Sequence, residues 1–492
     1  MRPRARSFSR NKIGGPSPAA RSIAFDVLSE YKDSGRFVSQ LFRQMMEGTP
    51  NVPPSDRTLA AELINGVVRR RATLDAILEP HVARPRHRIE GKLWTLLQLG
   101  AYQLALLDGV PHYAAVNETV SLARQVGPRG WDGFVNGVLR AVQTLTTDQP
   151  TAEPAADALP ISRGRYRRLA RGVFPEPAAD PVGYVSQAFS FPRWLIERWS
   201  RRFDLAELCR LGFWLNEPPP VTLRVNRLKT DREAVLELFK TQEVPAEPGD
   251  LPESIRIERA GRIDVLPGFR EGLFSVQDES AMQAVDLLRP EVGETVLDLC
   301  AAPGGKTTHL AERMGNSGSV LAADISPERL GRVEENCRRL GISIVQLCAL
   351  SKSDDSPGEP LPPGPFDAVL VDVPCSNTGV LGKRPEARWR VDEKQIEELS
   401  REQATLLLAA CQRVKPGGRV VYSTCSIEPE ENESIVRRVL AARPDFALAD
   451  QRHHVPGRPA DGGYQALIYR RGPTSAGTLW DENELRPRES AG

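Results

Sequence analysis

At 492 residues the chain is too long for a single hydrophobic core and points to about three domains. Its 40% hydrophobic and 26% charged residues make a globular composition. A net charge of +1 excludes polyanion binding by bulk charge, so any nucleic-acid surface has to be a local patch. Seven cysteines, odd in number and without CxxC pairs, argue against a disulfide framework and against a zinc site, and suit a reducing cytoplasm. No apolar run approaches the roughly 18 residues of a membrane span.

Residues 1–20 are basic (Arg2, Arg4, Arg6, Arg10, Lys12) but no apolar segment follows, so they form no secretory signal. They read as a solvated, disordered tail rather than an RNA-contacting arm. From 21 to 145 apolar residues recur at helical spacing, as in Ser22-Ile-Ala-Phe-Asp-Val-Leu28 and Leu59-Ala-Ala-Glu-Leu-Ile-Asn-Gly-Val-Val68. Residues 92–107 are apolar nearly all round and predict the central helix of an all-α bundle. Ser55-Asp-Arg57 and Ala114-Ala-Val-Asn-Glu118 sit where helices should start. The words Ser55-Asp-Arg57, Leu99-Gly-Ala-Tyr-Gln-Leu104, Val110-Pro-His-Tyr-Ala-Ala-Val-Asn-Glu118 and Gly133-Phe-Val-Asn-Gly-Val-Leu-Arg140 resemble the NusB family of helical RNA-binding modules. That resemblance makes Arg57, Arg69, Arg70, Arg71 and Arg140 a candidate RNA-facing patch. For each of them an ordinary solvated helix face is the competing reading.

Pro, Ala, Asp and Arg dominate residues 146–184, as in Asp148-Gln-Pro-Thr-Ala-Glu-Pro-Ala-Ala-Asp157, and predict a linker. An amphipathic helix over Ser190–Trp199 follows. Extended runs at Pro218–Asn226, Ser254–Glu258 and Leu273–Asp278 make 185–275 a small α+β domain. Arg224, Arg227 and Lys229 give it a candidate edge for contacting a nucleic-acid backbone.

Between 276 and 475 strands (295–299, 319–323, 343–348, 366–371, 418–424) alternate with helical segments, which predicts a Rossmann-like α/β sheet flanked by helices. Residues 476–492 form a C-terminal tail. In Asp298-Leu-Cys-Ala-Ala-Pro-Gly-Gly-Lys306 a buried strand breaks into a glycine turn that opens a helix. Backbone N–H groups point out of such a turn, and its glycines let a ligand approach closely. The turn is neither G-x-x-x-x-G-K-[ST] nor G-x-G-x-x-G, which excludes a P-loop and disfavours a dinucleotide. Asp324, closing the next strand, stands where a carboxylate binds ribose hydroxyls. An adenosine without pyrophosphate fits these features, and S-adenosylmethionine is the expected cofactor. A structural βα turn with no ligand is the plainer alternative.

Two further words end strands on the ligand side. Asp372-Val-Pro-Cys-Ser376 places Cys375 in a polar turn, and Ser423-Thr-Cys-Ser426 does the same for Cys425. A lone cysteine there reads as core; two such turns point to chemistry. A thiolate that adds to carbon-6 of cytosine makes carbon-5 nucleophilic enough to take a sulfonium methyl. That nucleophile needs a base or a positive charge, for which Lys306 is placed, while Asp372 suits the N3/N4 edge of the ring. Amine methylation needs no cysteine.

Asp298–Lys306, Asp372–Ser376, Gln403, Ser423–Ser426 and Pro429-Glu-Glu-Asn432, with Arg224-Val-Asn226, Val276-Gln-Asp-Glu-Ser280 and Asp461-Gly-Gly-Tyr-Gln-Ala466, resemble the RNA cytosine-C5 methyltransferases of the Nop2/Sun family. The NusB-like front matches one bacterial branch of it, which modifies small-subunit ribosomal RNA. The resemblance implies that Cys425 is the nucleophile and that Cys375 assists product release. It also implies that Cys300, Ala301, Ala302, Pro303, Gly304, Gly305, Lys306, Asp324 and Asp372 surround cofactor and target base. Two positions depart from the pattern. Val373 replaces the usual alanine, and the strand ending at Leu350 lacks the Asp that meets the adenine, leaving Asp354 or Asp355 as stand-ins. The expected partner is 16S ribosomal RNA, with tRNA or another structured RNA as the alternative. A non-catalytic ribosome-assembly factor is the reading from another class. Nothing demands more than a monomer.

Overall fold

The computed structural model describes residues 20–218, 220–257, 262–350, 362–458 and 460–472. The expected tails, apart from Ala20, lie outside the described residues, and so do Asp354 and Asp355. The chain divides into two compact units, residues 1–217 with 388–390, and 218–387 with 391–492.

The first unit opens with seven helices, Ala20–Ser34 through Trp131–Leu145. The apolar run becomes Gly91–Leu106, with Trp94 through Ala105 all buried, as a stripe-free helix must be at the centre of a bundle. Its few polar groups are satisfied there. Trp94 Nε1 and Gln98 Nε2 both donate to Asp75 Oδ1 at 2.7 Å. Gly100 lets the neighbouring helix close in, since a Cβ there would sit 2.4 Å from Leu139. The helices expected near Ser55 and Ala114 begin slightly earlier, at Pro54 and His112.

The segment 146–184 corrects the linker expectation. It holds three antiparallel strands, β1 (Thr146–Thr151), β2 (Ala158–Ser162) and β3 (Arg165–Leu169), ordered β1-β3-β2. Tyr166 supplies the missing apolar weight, packing edge-on against Phe213 at 5.1 Å. The arginine patch also needs correction. Arg69 and Arg70 are buried, Arg57 is partly covered, and only Arg71 and Arg140 are exposed. Burial lowers the Arg70 guanidinium to about 10.

In the second unit β4 (Val221–Val225), β5 (Glu247–Pro248), β6 (Ser254–Ile257) and β7 (Phe274–Val276) form an antiparallel sheet ordered β5-β6-β4-β7. The helix Arg232–Thr241 packs on it through Val235 and Phe239. The α+β segment expected over 185–275 is therefore shared, because its first helices fold with the first unit.

The larger sheet contains β8 (Thr295–Leu299), β9 (Ser319–Asp324), β10 (Val345–Ala349), β11 (Phe366–Asp372), β12 (Val414–Thr424), β13 (Phe446–His454) and β14 (Gly463–Arg470). Its order is β10-β9-β8-β11-β12-β14-β13, with the first five strands parallel and β14 antiparallel to both its neighbours. The central strands β8 and β11 are covered on both faces, which is why they read as nearly continuous apolar runs. Leu297, Leu299, Val369, Val371 and Tyr422 meet helices Glu393–Arg413 and Glu433–Ala442 on one side. Val296, Ala368, Leu370 and Val421 meet helices Glu279–Leu288 and Gly305–Arg313 on the other. Among the described residues no helix is long and apolar enough to cross a membrane.

Candidate active site

Parallel pairing aligns the strand ends that carry the chemistry. Asp372 of β11 is in register with Ser423 of β12, so the turns that follow hold Cys375 and Cys425 side by side. Their sulfurs are 3.1 Å apart, and both residues are half-buried. Asn377, in the left-handed region at φ 61°, joins the two turns. Its Nδ2 donates to the Cys375 carbonyl at 2.7 Å, and its Oδ1 accepts from the Cys425 thiol at 3.3 Å. A Cβ on Gly379 would meet the carbonyl oxygens of Gly462 and Cys425 at 2.4 and 2.8 Å, so this turn lies directly on backbone.

The Cys375 thiol is pushed well up, first by its hydrogen bond with Cys425 and then by burial and the Cys425 and Glu431 charges. Lys306 Nζ donates to Asp372 Oδ2 at 2.8 Å. Burial works against the Lys306 ammonium, but Asp372, Cys425 and Asp298 outweigh it and raise its pKa. A cation is thus held beside Asp372, within electrostatic reach of Cys425.

The glycine turn has the form expected of a ligand cradle. Cys300 adopts φ 66° and Gly304 φ 99°, the latter against Val333, which a Cβ would meet at 3.1 Å. Gly304 caps the helix Gly305–Arg313, whose first N–H groups face outward from the turn. Asp324 Oδ2 accepts the Ala302 N–H at 3.0 Å and Oδ1 accepts that of Ser326 at 3.0 Å, so the carboxylate is held rigidly beside the turn. Arg329 donates to the Ala302 carbonyl and lies 3.8 Å from Asp324 Oδ2. Burial, followed by the charges of Asp372 and Asp324, raises the Cys300 thiol far above its ordinary value. That group is neutral and stays out of nucleophilic chemistry.

The structure brings Lys306, Asp372, Cys375 and Cys425 together and sets Ala301, Ala302, Pro303, Gly304, Gly305 and Asp324 around one turn. Val373 packs into the core below the site rather than into it. Arg224 does not form the RNA-contacting edge expected of it. It is fully buried, and its guanidinium donates to Glu312 Oε1 at 2.7 Å and Oε2 at 3.0 Å, to the Gly305 carbonyl at 2.8 Å, and to Gln277 and Thr308. Arg227 and Lys229 remain at the surface.

Sequence reasoning passed over Asn377, for which an asparagine in a polar Ser-Asn-Thr-Gly turn was the available signal. It also passed over Lys383, whose Nζ lies 2.7 Å from both Asp278 and Asp461 behind the cysteine loop. One set of metal-ligating side chains converges among the described residues, Glu253, Asp286 and His309, with ligand atoms within 4.8 Å of one another. None of them belongs to the cysteine site.

Comparison with known proteins identifies the family. Residues 285–469 match the 16S rRNA methyltransferase RsmB/F family, residues 18–144 the NusB family, and residues 191–264 the ferredoxin-like domain of RsmF/B-like methyltransferases. The chain is 36% identical over 430 residues to the probable ribosomal RNA small subunit methyltransferase B of Synechocystis, covering 87% of this chain and 90% of that protein. It is 32% identical over 462 residues to ribosomal RNA small subunit methyltransferase B of Salmonella paratyphi C, covering 92% and 98%. Among solved structures, PH0851 superposes with a TM-score of 0.71 at 25% identity, over 93% of this chain and all of that one. A methyltransferase homologue from Pyrococcus horikoshii gives 0.52 at 26% identity, over 59% and 99%. With a NusB domain, a ferredoxin-like sheet and a Rossmann-like methyltransferase domain in that order, the chain belongs to the RsmB/F family of 16S rRNA methyltransferases.

Proposed function

We propose that this chain transfers the methyl group of S-adenosylmethionine to carbon-5 of a cytosine in 16S ribosomal RNA, with Cys425 as nucleophile and Cys375 assisting release. The observation that carries this reading is the pair of thiols in contact at the ends of two adjacent parallel strands, beside a lysine–aspartate pair and a glycine cradle. Methyl transfer to an amine or a hydroxyl needs no thiol, whereas addition to a pyrimidine uses one as nucleophile and leaves its neighbour free to assist release.

Residues 300–306 and Asp324 would hold S-adenosylmethionine, which would supply an electrophilic methyl group. The protein's own residues do the rest. The Lys306 ammonium lowers the cost of a thiolate on Cys425, which adds to carbon-6 of the ring. Asp372, kept in place by Lys306, accepts from the exocyclic amine and holds the base in the plane of attack. After methylation the carbon-5 proton passes to water, its electron pair forms the carbon-5–carbon-6 double bond, and the bond from carbon-6 to Cys425 breaks with its pair on sulfur, so that aromaticity returns and Cys425 leaves as a thiolate. Cys375, held as a thiol, can donate to the departing Cys425 sulfur across the contact they share.

The test is incubation of wild type, Cys425→Ala and Cys375→Ala with methyl-labelled S-adenosylmethionine and unmethylated small-subunit ribosomal RNA. The expected result is label at cytosine carbon-5 with wild type, none with Cys425→Ala, and a covalent RNA adduct with Cys375→Ala. An adduct with Cys425→Ala would reverse the two roles. Label appearing only on tRNA would move the substrate, and RNA binding without any label would make the chain an assembly factor.

A further inference from the structure

Glu431 is fully buried five residues beyond Ser426, and its carboxylate is saturated by the two cysteine turns. Oε1 accepts the backbone N–H of Ser376 at 2.8 Å and the Gln403 amide at 2.9 Å. Oε2 accepts the hydroxyls of Ser376 and Ser426, which lie 3.1 Å from each other. Ser376 directly follows Cys375 and Ser426 directly follows Cys425, so one carboxylate grips the residue after each thiol. Gln403 extends the grip to the residue before Cys375, donating to the Pro374 carbonyl at 2.9 Å. The Glu431 carbonyl in turn accepts from Tyr422 in the adjacent strand at 2.5 Å, which fixes the carboxylate's own height above the sheet.

A carboxylate removed from water is costly unless donors replace the water. Here four donors do so, three of them from the two turns, and no lysine or arginine is among them. Packing alone would be served better by an apolar side chain of the same volume. What a leucine cannot do is hold two turns from different strands at one fixed spacing.

We propose that Glu431 is a positioning residue: by clasping Ser376 and Ser426 on a single carboxylate it fixes the Cys375 and Cys425 sulfurs in contact, and thereby governs whether a covalent RNA adduct resolves or stalls. The second half of this statement rests on the cytosine reading above; the first half does not.

The full-length chain allows the two halves to be measured separately. Diamide oxidises the two thiols to a disulfide. One S–S bond forms, and the two protons and two electrons pass to the N=N bond, giving the hydrazine. Closure is followed by loss of titratable thiol, with Cys375→Ala as the variant that cannot form this bond. Glu431→Ala is expected to close about tenfold or more slowly, because a displacement near 1 Å already costs on the order of 100-fold in a proximity-limited step. Glu431→Gln keeps an oxygen for Ser376 N–H and Gln403 and is expected to restore closure to within about threefold of wild type. In methyl transfer Glu431→Ala should lower kcat with KM for S-adenosylmethionine unchanged, and should leave a denaturation-resistant RNA adduct, which a general loss of fold would not produce.

Closure at the wild-type rate in Glu431→Ala overturns the proposal, and so does failure of Glu431→Gln to restore it. If Glu431→Ala does not fold, the double variant Ser376→Ala/Ser426→Ala removes two of the four donors and is held to the same slowing. Slowed closure in a wild-type background that methylates no cytosine would uphold the positioning role and refute the reading it was joined to.

Discussion

Asp298 offers a quantitative check on the electrostatics beneath the glycine turn. It is fully buried, its Oδ2 accepts from Thr307 at 2.6 Å, and its Oδ1 has no partner among the described residues. Burial raises its pKa from 3.8 to about 7, opposed by the Thr307 bond and assisted by the charge of Asp372. Because the folded value lies above the unfolded one, the proton is favoured in the fold. That contribution is complete below pH 3.8 and is lost as the pH rises through about 7. Ionised Asp298 therefore weighs against folding by about 4 kcal/mol above pH 8, at 1.36 kcal/mol per pH unit. Asp298→Asn removes that cost and keeps an acceptor for Thr307, but its amide meets no acceptor at the Oδ1 position, which returns about 1–3 kcal/mol. The expected net effect is a stabilisation of about 1–3 kcal/mol at pH 8.5, or roughly 2–12 °C in Tm, vanishing or reversing at pH 5. Scanning calorimetry of both proteins at the two pH values measures it. A Tm difference independent of pH, or a loss at pH 8.5, would refute the burial argument.

Arg224→Met should cost about 3–5 kcal/mol by leaving the Glu312 carboxylate buried and uncompensated, while Arg224→Met/Glu312→Leu should recover most of it; denaturant titration of the double-mutant cycle reads the coupling, and additivity would contradict it. Gly379→Ala forces a methyl onto the carbonyls of Gly462 and Cys425. It should destabilise by about 1–3 kcal/mol and reduce methyl transfer on the order of 100-fold through displacement of Cys425, as measured by melting and by single-turnover labelling. Burial, with the Asp278 charge, raises Asp461 to about 6, whereas Lys383 opposes burial at Asp278 and keeps that carboxylate below its ordinary value. The ammonium thus compensates one charge at pH 5 and two at pH 8. Lys383→Met should lower Tm more at pH 8 than at pH 5, and equal losses would contradict the shared pair.

Much of the catalytic domain was legible because strand, glycine turn and helix follow one another without interruption from Thr295 to Arg313, and because Cys375 and Cys425 each sit just past an apolar run. Pairing order then made them neighbours, a step that local sequence implies only through the alternation of strands and helices. What escaped was decided by tertiary context. The segment 146–184 reads as a linker because its strands are short and rich in Pro, Asp and Arg, yet Leu159 and Tyr166 find a core in helices further along the chain. Arg224 and Arg70 are charged residues whose burial depends on partners far away in sequence, and no periodicity distinguishes them from surface arginines. Glu431 was visible as one letter of a motif. That three of its four donors come from the two cysteine turns is a property of the fold alone.

The Arg224 bonds also bear on where this protein can be cut. Read along the chain, a catalytic domain beginning near residue 276 looks separable from the sheet before it. Physically the boundary runs elsewhere, because the helix that follows the glycine turn has its carboxylate Glu312, its hydroxyl Thr308 and its first-turn carbonyl Gly305 all bound to a guanidinium supplied by β4. A fragment starting at 276 would expose those acceptors and leave the cradle's helix without its anchor. The ferredoxin-like sheet is in this sense a structural part of the proposed cofactor cradle. Shuffling it between relatives as an independent RNA-binding cassette should cost methyl-donor affinity before it alters RNA choice.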